Sequence, residues 1–348
     1  MTASSQPPAP SSPVLSTSAA GANHGPRANE EAMDPQITSI QPGGGWCMSA
    51  ELAWGSWRRF YLRTFRRGYV ERMRRCRQGE PLGVPHEVLD PRDLKFYRNL
   101  TDCHWQPADD PFRWRDHLGV ARVGLAELIL ISGGFLLLAA LSAWAARTVW
   151  YFWPLAITLA ALGLFVISFF RNPRRVVPEG EGVYVAPADG KIVTIERLEH
   201  DDFLGGPAVV IGIFLSVFNV HINRVPVAAR IVGLTYHRGK FMNALFADSV
   251  KYNEQMHVRL QETGARGRRL VIKQIAGAIA RRIVCWVRPG DELDCGEQFG
   301  MIKLGSRTEL IIPDEPGLTV AVKIGETVRA GASVMARYAT RSVEHGGG

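Results

Sequence analysis

The sequence predicts a β-rich α+β domain preceded by a transmembrane or membrane-embedded helical hairpin. Three observations carry this: two long apolar runs in mid-chain, short β-branched segments after them, and an arginine-rich aromatic stretch before them. The chain has 348 residues, with 41 Lys+Arg against 33 Asp+Glu and a formal charge of +8. That excess suits an anionic partner, either a membrane surface or a nucleic acid. Cys47, Cys76, Cys103, Cys285 and Cys295 are odd in number and lack C-x-x-C spacing. They read as free thiols of a reducing compartment, not as a disulfide framework or a zinc site. No metal is expected.

The hairpin comes first. Leu128–Ala146 holds 19 residues without a charge, and Val149–Phe170 adds 22 more. A spanning helix needs about 20 apolar residues. Only Arg147 and Thr148 separate the runs, so the turn must be tight. Trp150, Tyr151 and Trp153 cluster at one end of the second run, where an aromatic belt lies. Arg113, Arg115 and Arg122 precede the hairpin and Arg171, Arg174 and Arg175 follow it, against Arg147 alone in the turn. The positive-inside rule then places both ends in the cytoplasm, with the following domain on the cytoplasmic face of the cell (inner) membrane. A buried helical pair, or a hairpin dipping into one leaflet, satisfies the same composition.

Residues 1–45 are rich in Pro, Ser, Ala and Gly and predict a disordered tail. They lack the charged start and apolar run of a secretory signal. Residues 46–125 form a basic extension, partly helical. Within it, Trp57, Tyr61, Phe65, Tyr69 and Met73 recur at four-residue steps, and nine arginines fall between Arg58 and Arg77 with only Glu71 against them. The pattern fits a basic amphipathic helix on anionic headgroups, or a packed helix with a solvated basic face. Beside a membrane hairpin, no nucleic acid is expected as partner. Residues 126–171 are assigned to the hairpin and 172–348 to the domain.

From Val177 onward, short β-branched runs alternate with Gly and Pro, the texture of a β-rich domain. Two pieces, APADGKIV and IGETVRAGASVMARY, look like the halves of a lipoyl-like β-sandwich. That analogy alone suggests a membrane-anchored adaptor without catalysis, although no carrier lysine stands at a hairpin tip. In FNVHINRV, polar Asn219, His221 and Asn223 alternate with Phe218, Val220 and Ile222. This places His221 on a polar face beside a strand instead of in the core. In FGMIKLGSRTEL, Gly305-Ser306 interrupts a strand pattern, and such a glycine marks a bend or a close backbone approach. The adjoining hydroxyl suits a surface serine, a turn cap or a nucleophile.

The strings APADGKI, FNVHINRVP, YHRGKF, QIAGAIARRIVC and FGMIKLGSR occur here in one order. In that order they resemble the short, membrane-anchored, pyruvoyl-dependent class of phosphatidylserine decarboxylase proenzymes, from roughly Leu128 to Tyr338. The resemblance implies self-cleavage between Gly305 and Ser306, with Ser306 converted to a pyruvoyl cofactor and both subunits remaining associated. It further implies decarboxylation of phosphatidylserine in the membrane to phosphatidylethanolamine and CO2. Ser306 would be the nucleophile, His221 the base and Asp189 the group orienting it, in the manner of a triad. Arg224, Arg281 and Arg282 suit the lipid phosphate or carboxylate by guanidinium geometry, or else are strand-edge or structural charges. Two departures stand out: Arg224 occupies the place of a second histidine, and Asn253-Glu254-Gln255 stands where such enzymes often carry Asn-Glu-Arg. A different serine lipid as substrate and a homo-oligomeric assembly remain open.

Overall fold

The computed structural model describes residues 30–80, 90–106, 108–110, 112–242, 249–264, 266–278, 282–303 and 306–339. Residues 30–45, assigned by composition to a disordered tail, are packed instead. Ile37 and Ile40 are buried, and the Cys285 N–H donates to the Ile40 carbonyl at 2.8 Å. Two isoleucines in a Pro/Gly-rich stretch outweigh its average composition. Residues 1–29 of the expected tail lie outside the described residues.

The basic stretch forms two helices where one was expected. α1 (Trp46–Phe65) and α2 (Arg67–Cys76) meet at Arg66, whose φ of −135° and ψ of 43° leave the helical region. After α2, β1 (Arg77–Gln78) pairs with β2 (His104–Trp105). α3 (Pro91–Tyr97) lies between them. It starts with the two devices its sequence advertises: Asp90 accepts from the Arg92 N–H at 2.9 Å, and Pro91 fills the first position. α1 docks on α3 through the buried Arg59–Asp93 pair and through Lys95–Glu51 at 2.9 Å.

The apolar runs become α4 (Arg122–Ala145) and α5 (Phe152–Phe169), each with a mean hydropathy of 2.1. Only 22% and 17% of their most apolar windows are buried, so neither is a core helix of the domain. They pack tightly on each other at Gly163, where a Cβ would stand 2.9 Å from Leu136 Cγ. Trp150 and Tyr151, expected inside the second helix, lie exposed in the turn before it.

The remaining chain is β-rich. Its strands are β3 (Val183–Val185), β4 (Gly190–Asp201), β5 (Gly206–Leu215), β6 (Ile222–Arg224), β7 (Ala229–His237), β8 (Gln255–Glu262) and β9 (Arg269–Ala276). Then follow β10 (Arg282–Cys285), β11 (Glu292–Leu293), β12 (Gln298–Lys303), β13 (Ser306–Pro313), β14 (Leu318–Val320), β15 (Thr327–Val328) and β16 (Val334–Tyr338). Among the described residues, an eight-stranded antiparallel sheet runs β11-β7-β8-β9-β13-β5-β4-β15. Two three-stranded sheets, β10-β12-β6 and β14-β16-β3, complete the domain. The large core between them is built from alternate residues such as Ile211, Ile213, Val258, Ile272, Leu310 and Ile312. APADGKIV and IGETVRAGASVMARY do come together, as β4 pairs with β15 and β3 with β16. A second cluster joins Phe169 and Phe170 at the foot of α5 to Val220, Ile222 and Met301, tying the apolar helices to the domain.

Candidate active site

β12 and β13 are consecutive in sequence yet belong to different sheets. β12 pairs with β10 and β6, whereas β13 lies between β5 and β9. The chain therefore changes sheets just before Ser306; Gly305, the other half of the expected cleavage site, lies outside the described residues. Ser306 opens β13 opposite Leu215 on one side and Ala276 on the other. It is fully buried, and its Oγ has no hydrogen-bond partner among the described residues. A buried hydroxyl left unpaired costs about 1–3 kcal/mol. In native proteins such an orphan calls for a reason, and a reactive role is one.

The FNVHINR segment reaches both sides of this junction. The Ile302 N–H donates to the His221 carbonyl at 3.1 Å, upstream of Ser306. Downstream, Asn223 Nδ2 donates to Thr308 Oγ1 at 3.1 Å, and Gln274 Nε2 donates to Asn223 Oδ1 at 2.9 Å. The alternation read from the sequence does not survive folding. β6 spans only Ile222–Arg224, and His221 and Asn223 are as buried as Val220 and Ile222. The hairpin foot covers the face expected to be polar, placing the Phe169 ring 4.5 Å from the His221 ring. Phe218, assigned to the apolar face, is exposed beside Phe165 of α5.

His221 Nδ1 lies 2.9 Å from the Asn219 carbonyl. A carbonyl only accepts, so Nδ1 carries the proton and Nε2 is the basic nitrogen of the neutral ring. Burial pushes the imidazole down to about 4; the Asn219 contact opposes this and Arg171 adds to it. At neutral pH the ring is uncharged.

Asp189 is also buried, but its carboxylate faces elsewhere. Oδ2 accepts from Arg175 Nη2 at 2.7 Å and Oδ1 from the Ala330 N–H at 2.8 Å. The contact that fixes the His221 tautomer thus comes from Asn219, not from Asp189. Burial raises the Asp189 carboxyl above its ordinary value, opposed by the Ala330 N–H and Arg175. Gly190, beside it, is fixed by packing, since a Cβ there would fall 2.2 Å from the Phe214 carbonyl oxygen.

Arg224 spans 172–173 and the β11–β12 turn, donating to the Gly296 carbonyl at 2.8 Å and the Pro173 carbonyl at 3.3 Å. Arg282 begins β10 opposite Lys303 and lies beside Glu254. Arg281 lies outside the described residues. Several neighbours escaped sequence reading. Arg171 and Arg175, counted there only as flanking charge, place positive charge beside His221 and Asp189. Lys303, near the end of β12, is buried and pairs with Glu127 of α4 and with Gln41 Oε1 at 3.1 Å. A lysine in the apolar run FGMIKL and a lone acid at the head of an apolar helix were the available signals.

The fold and site thus define a β-rich domain that carries a buried serine, unpartnered among the described residues, where the chain changes sheets, and that is joined to two long apolar helices. The comparisons with known proteins supply the family. The phosphatidylserine decarboxylase family profile matches residues 162–336. The chain is 51% identical to the phosphatidylserine decarboxylase proenzyme of Rhodopirellula baltica over 245 residues, which is 70% of this chain and 99% of that protein. It is 41% identical to the proenzyme of the same name from Symbiobacterium thermophilum, over 60% of this chain and 95% of that protein. With the Desulfotalea psychrophila proenzyme the identity is 42%, over 49% and 78% respectively. The chain belongs to the phosphatidylserine decarboxylase family, and it is an enzyme of this type.

Proposed function

We propose that the chain cleaves itself between Gly305 and Ser306 and then decarboxylates phosphatidylserine to phosphatidylethanolamine and CO2 at the membrane. The observation that carries this reading is the unpaired, buried Ser306 Oγ at the sheet crossover, with the His221–Asn223 segment touching both flanks.

In the first step Ser306 Oγ attacks the Gly305 carbonyl carbon while His221 Nε2 takes the hydroxyl proton. The Gly305–Ser306 C–N bond breaks, its nitrogen gains a proton, and an ester joins the two parts. A base then removes the Ser306 α-proton, and the Cβ–Oγ bond breaks. This releases residue 305 as a carboxylate and leaves dehydroalanine. Water converts that residue to a pyruvoyl group and ammonia. The residues present fit such a group, because the hydroxyl that would generate it has no structural partner to lose. Bound at the head of β13, the group supplies an electron sink for loss of CO2. His221, neutral and held by Asn219 through Nδ1, would act as a relay: Nε2 takes up a proton first and then returns it to the substrate carbon. Arg171 and Arg175 make the surroundings favourable to an anionic headgroup. Asp189 is assigned to holding Arg175 and the Ala330 turn, and thereby acts on His221 only through position. Arg224 and Arg282 keep a substrate role only as a secondary assignment.

α4 and α5 would embed as a hairpin in the cell membrane, because the lipid cannot leave a bilayer cheaply at ~0.8 kcal/mol per buried CH2. The arginine distribution sets the domain on the cytoplasmic face. The lipoyl-like pairing of β3 and β4 with β15 and β16 is then scaffolding.

Intact-mass spectrometry of the purified protein, alongside Ser306→Ala, tests the reading. A C-terminal fragment of 43 residues (348 − 306 + 1) with a blocked N-terminus is expected from the parent and none from the variant. An intact parent chain purified from membranes would overturn self-processing.

A further inference from the structure

The elbow between α1 and α2 lies outside the matched family region and is not used by the chemistry above. We infer that it docks onto the anionic bilayer surface, with a lipid phosphate entering the cavity at the bend. The inference rests on the membrane placement proposed for α4 and α5.

Four observations converge on it. First, a cavity of about 570 Å³ opens at the elbow, lined by Arg58, Arg66, Arg67, Arg72, Tyr61 and Tyr69. Second, the cavity gathers positive charge, and none of its lining residues is acidic. Arg58 meets Asp90 at 3.0 Å, but Arg66, Arg67 and Arg72 pair with no carboxylate among the described residues. Arginines around one void repel unless an anion enters, and a phosphodiester matches the guanidinium fork. Third, Tyr69 Oη is buried at the cavity with no hydrogen-bond partner among the described residues, a donor lacking an acceptor.

The fourth observation fixes the occupant. α1 buries Gly55, Arg59 and Leu62 on one face. On a neighbouring face it exposes Trp54, Trp57, Tyr61 and Phe65, which are 61%, 72%, 46% and 67% exposed. Large aromatics at three- and four-residue steps beside arginines are what an interfacial helix presents to headgroups. A soluble anion would need the arginines but not the aromatic stripe. α1 also packs against residues 125–127 near the start of α4. The break at Arg66 turns α2 and its arginines toward the same cavity.

The test uses the full chain in nanodiscs of phosphatidylcholine, with and without phosphatidylglycerol, an anionic lipid that is not a serine lipid. Hydrogen–deuterium exchange is followed on peptides covering 54–72. Phosphatidylglycerol is expected to slow exchange there by roughly tenfold, in keeping with several surface arginines acting together. The effect should vanish in Arg66→Glu/Arg67→Glu/Arg72→Glu and weaken in the corresponding triple Gln variant, while peptides of the β domain stay unchanged. Equal exchange in both nanodiscs overturns the inference. So does equal protection by dissolved inorganic phosphate in phosphatidylcholine alone, which would make the cavity a soluble-anion site. If the chain does not enter nanodiscs at all, the membrane placement fails first and the docking inference falls with it.

Discussion

Self-cleavage should persist well into acid, because His221 is held uncharged by its surroundings. The Phe169 ring and the hairpin foot strip water from the imidazole, and Arg171 adds positive charge, so its pKa lies at about 4. A histidine in water has a pKa near 6.5. At pH 5 the buried ring is therefore about 90% neutral, whereas a solvated one would be only about 3% neutral. Precursor synthesised without cells in the presence of vesicles can be chased into buffers from pH 4 to pH 8, and the cleaved fraction followed on gels. The rate at pH 5 should lie close to that at pH 7 and halve near pH 4. Phe169→Ala should hydrate the ring and move the midpoint up toward 6.5. A parent midpoint near 6.5, or cleavage undiminished in His221→Gln, would refute the assignment of His221 as the base. The same shift has a stability sign. The native state binds fewer protons than the unfolded chain between about pH 6.5 and 4, so stability falls as pH drops through that window.

Three further outcomes are expected. Asp189→Ala leaves Arg175 buried without its carboxylate and the Ala330 N–H without an acceptor; it should cost about 3–5 kcal/mol, lowering the thermal midpoint. The pH midpoint of cleavage should stay fixed, and movement of that midpoint instead would restore a direct orienting role. Lys303→Met strands Glu127 in a buried site and should reduce the processed fraction, while adding Glu127→Leu should recover most of it. After cleavage the fragment beginning at Ser306 should co-elute with the larger one in mild detergent. Its Leu310, Ile311, Ile312, Val328 and Met335 are almost wholly buried, worth roughly 8–15 kcal/mol at 1.5–3 kcal/mol each. Separation at micromolar concentration would contradict that sum.

Local pattern made much of this legible. The β-rich domain, the two apolar helices and the serine at an interrupted strand all follow from residue periodicity and from Gly305-Ser306. What failed were inferences that needed partners far away in sequence. His221 looked like a residue on a polar strand face, because nothing in FNVHINRV shows that Phe169 will cover it. The family resemblance made Asp189 an orienter, but Arg175 and Ala330, 14 and 141 residues away, take both its oxygens. Residues 30–45 averaged to disorder while two isoleucines held them to the sheet. A four-residue aromatic repeat implied one straight helix, and a single backbone conformation at Arg66 bent it.

The passage of the chain from one sheet to another at Ser306 would also decide when the proposed self-cleavage can begin. Alignment of β12 is set by β10 and β6, and alignment of β13 by β5 and β9. Neither ladder uses the link between them to choose its register. A precursor and the proposed cut protein could therefore share one architecture, with no strand slipping when the bond is lost. On the proposed reading, the environment that would make Ser306 a nucleophile forms only when both sheets have assembled. In a half-folded chain Ser306 would be an ordinary serine, so the proposed cleavage would mark the completion of folding.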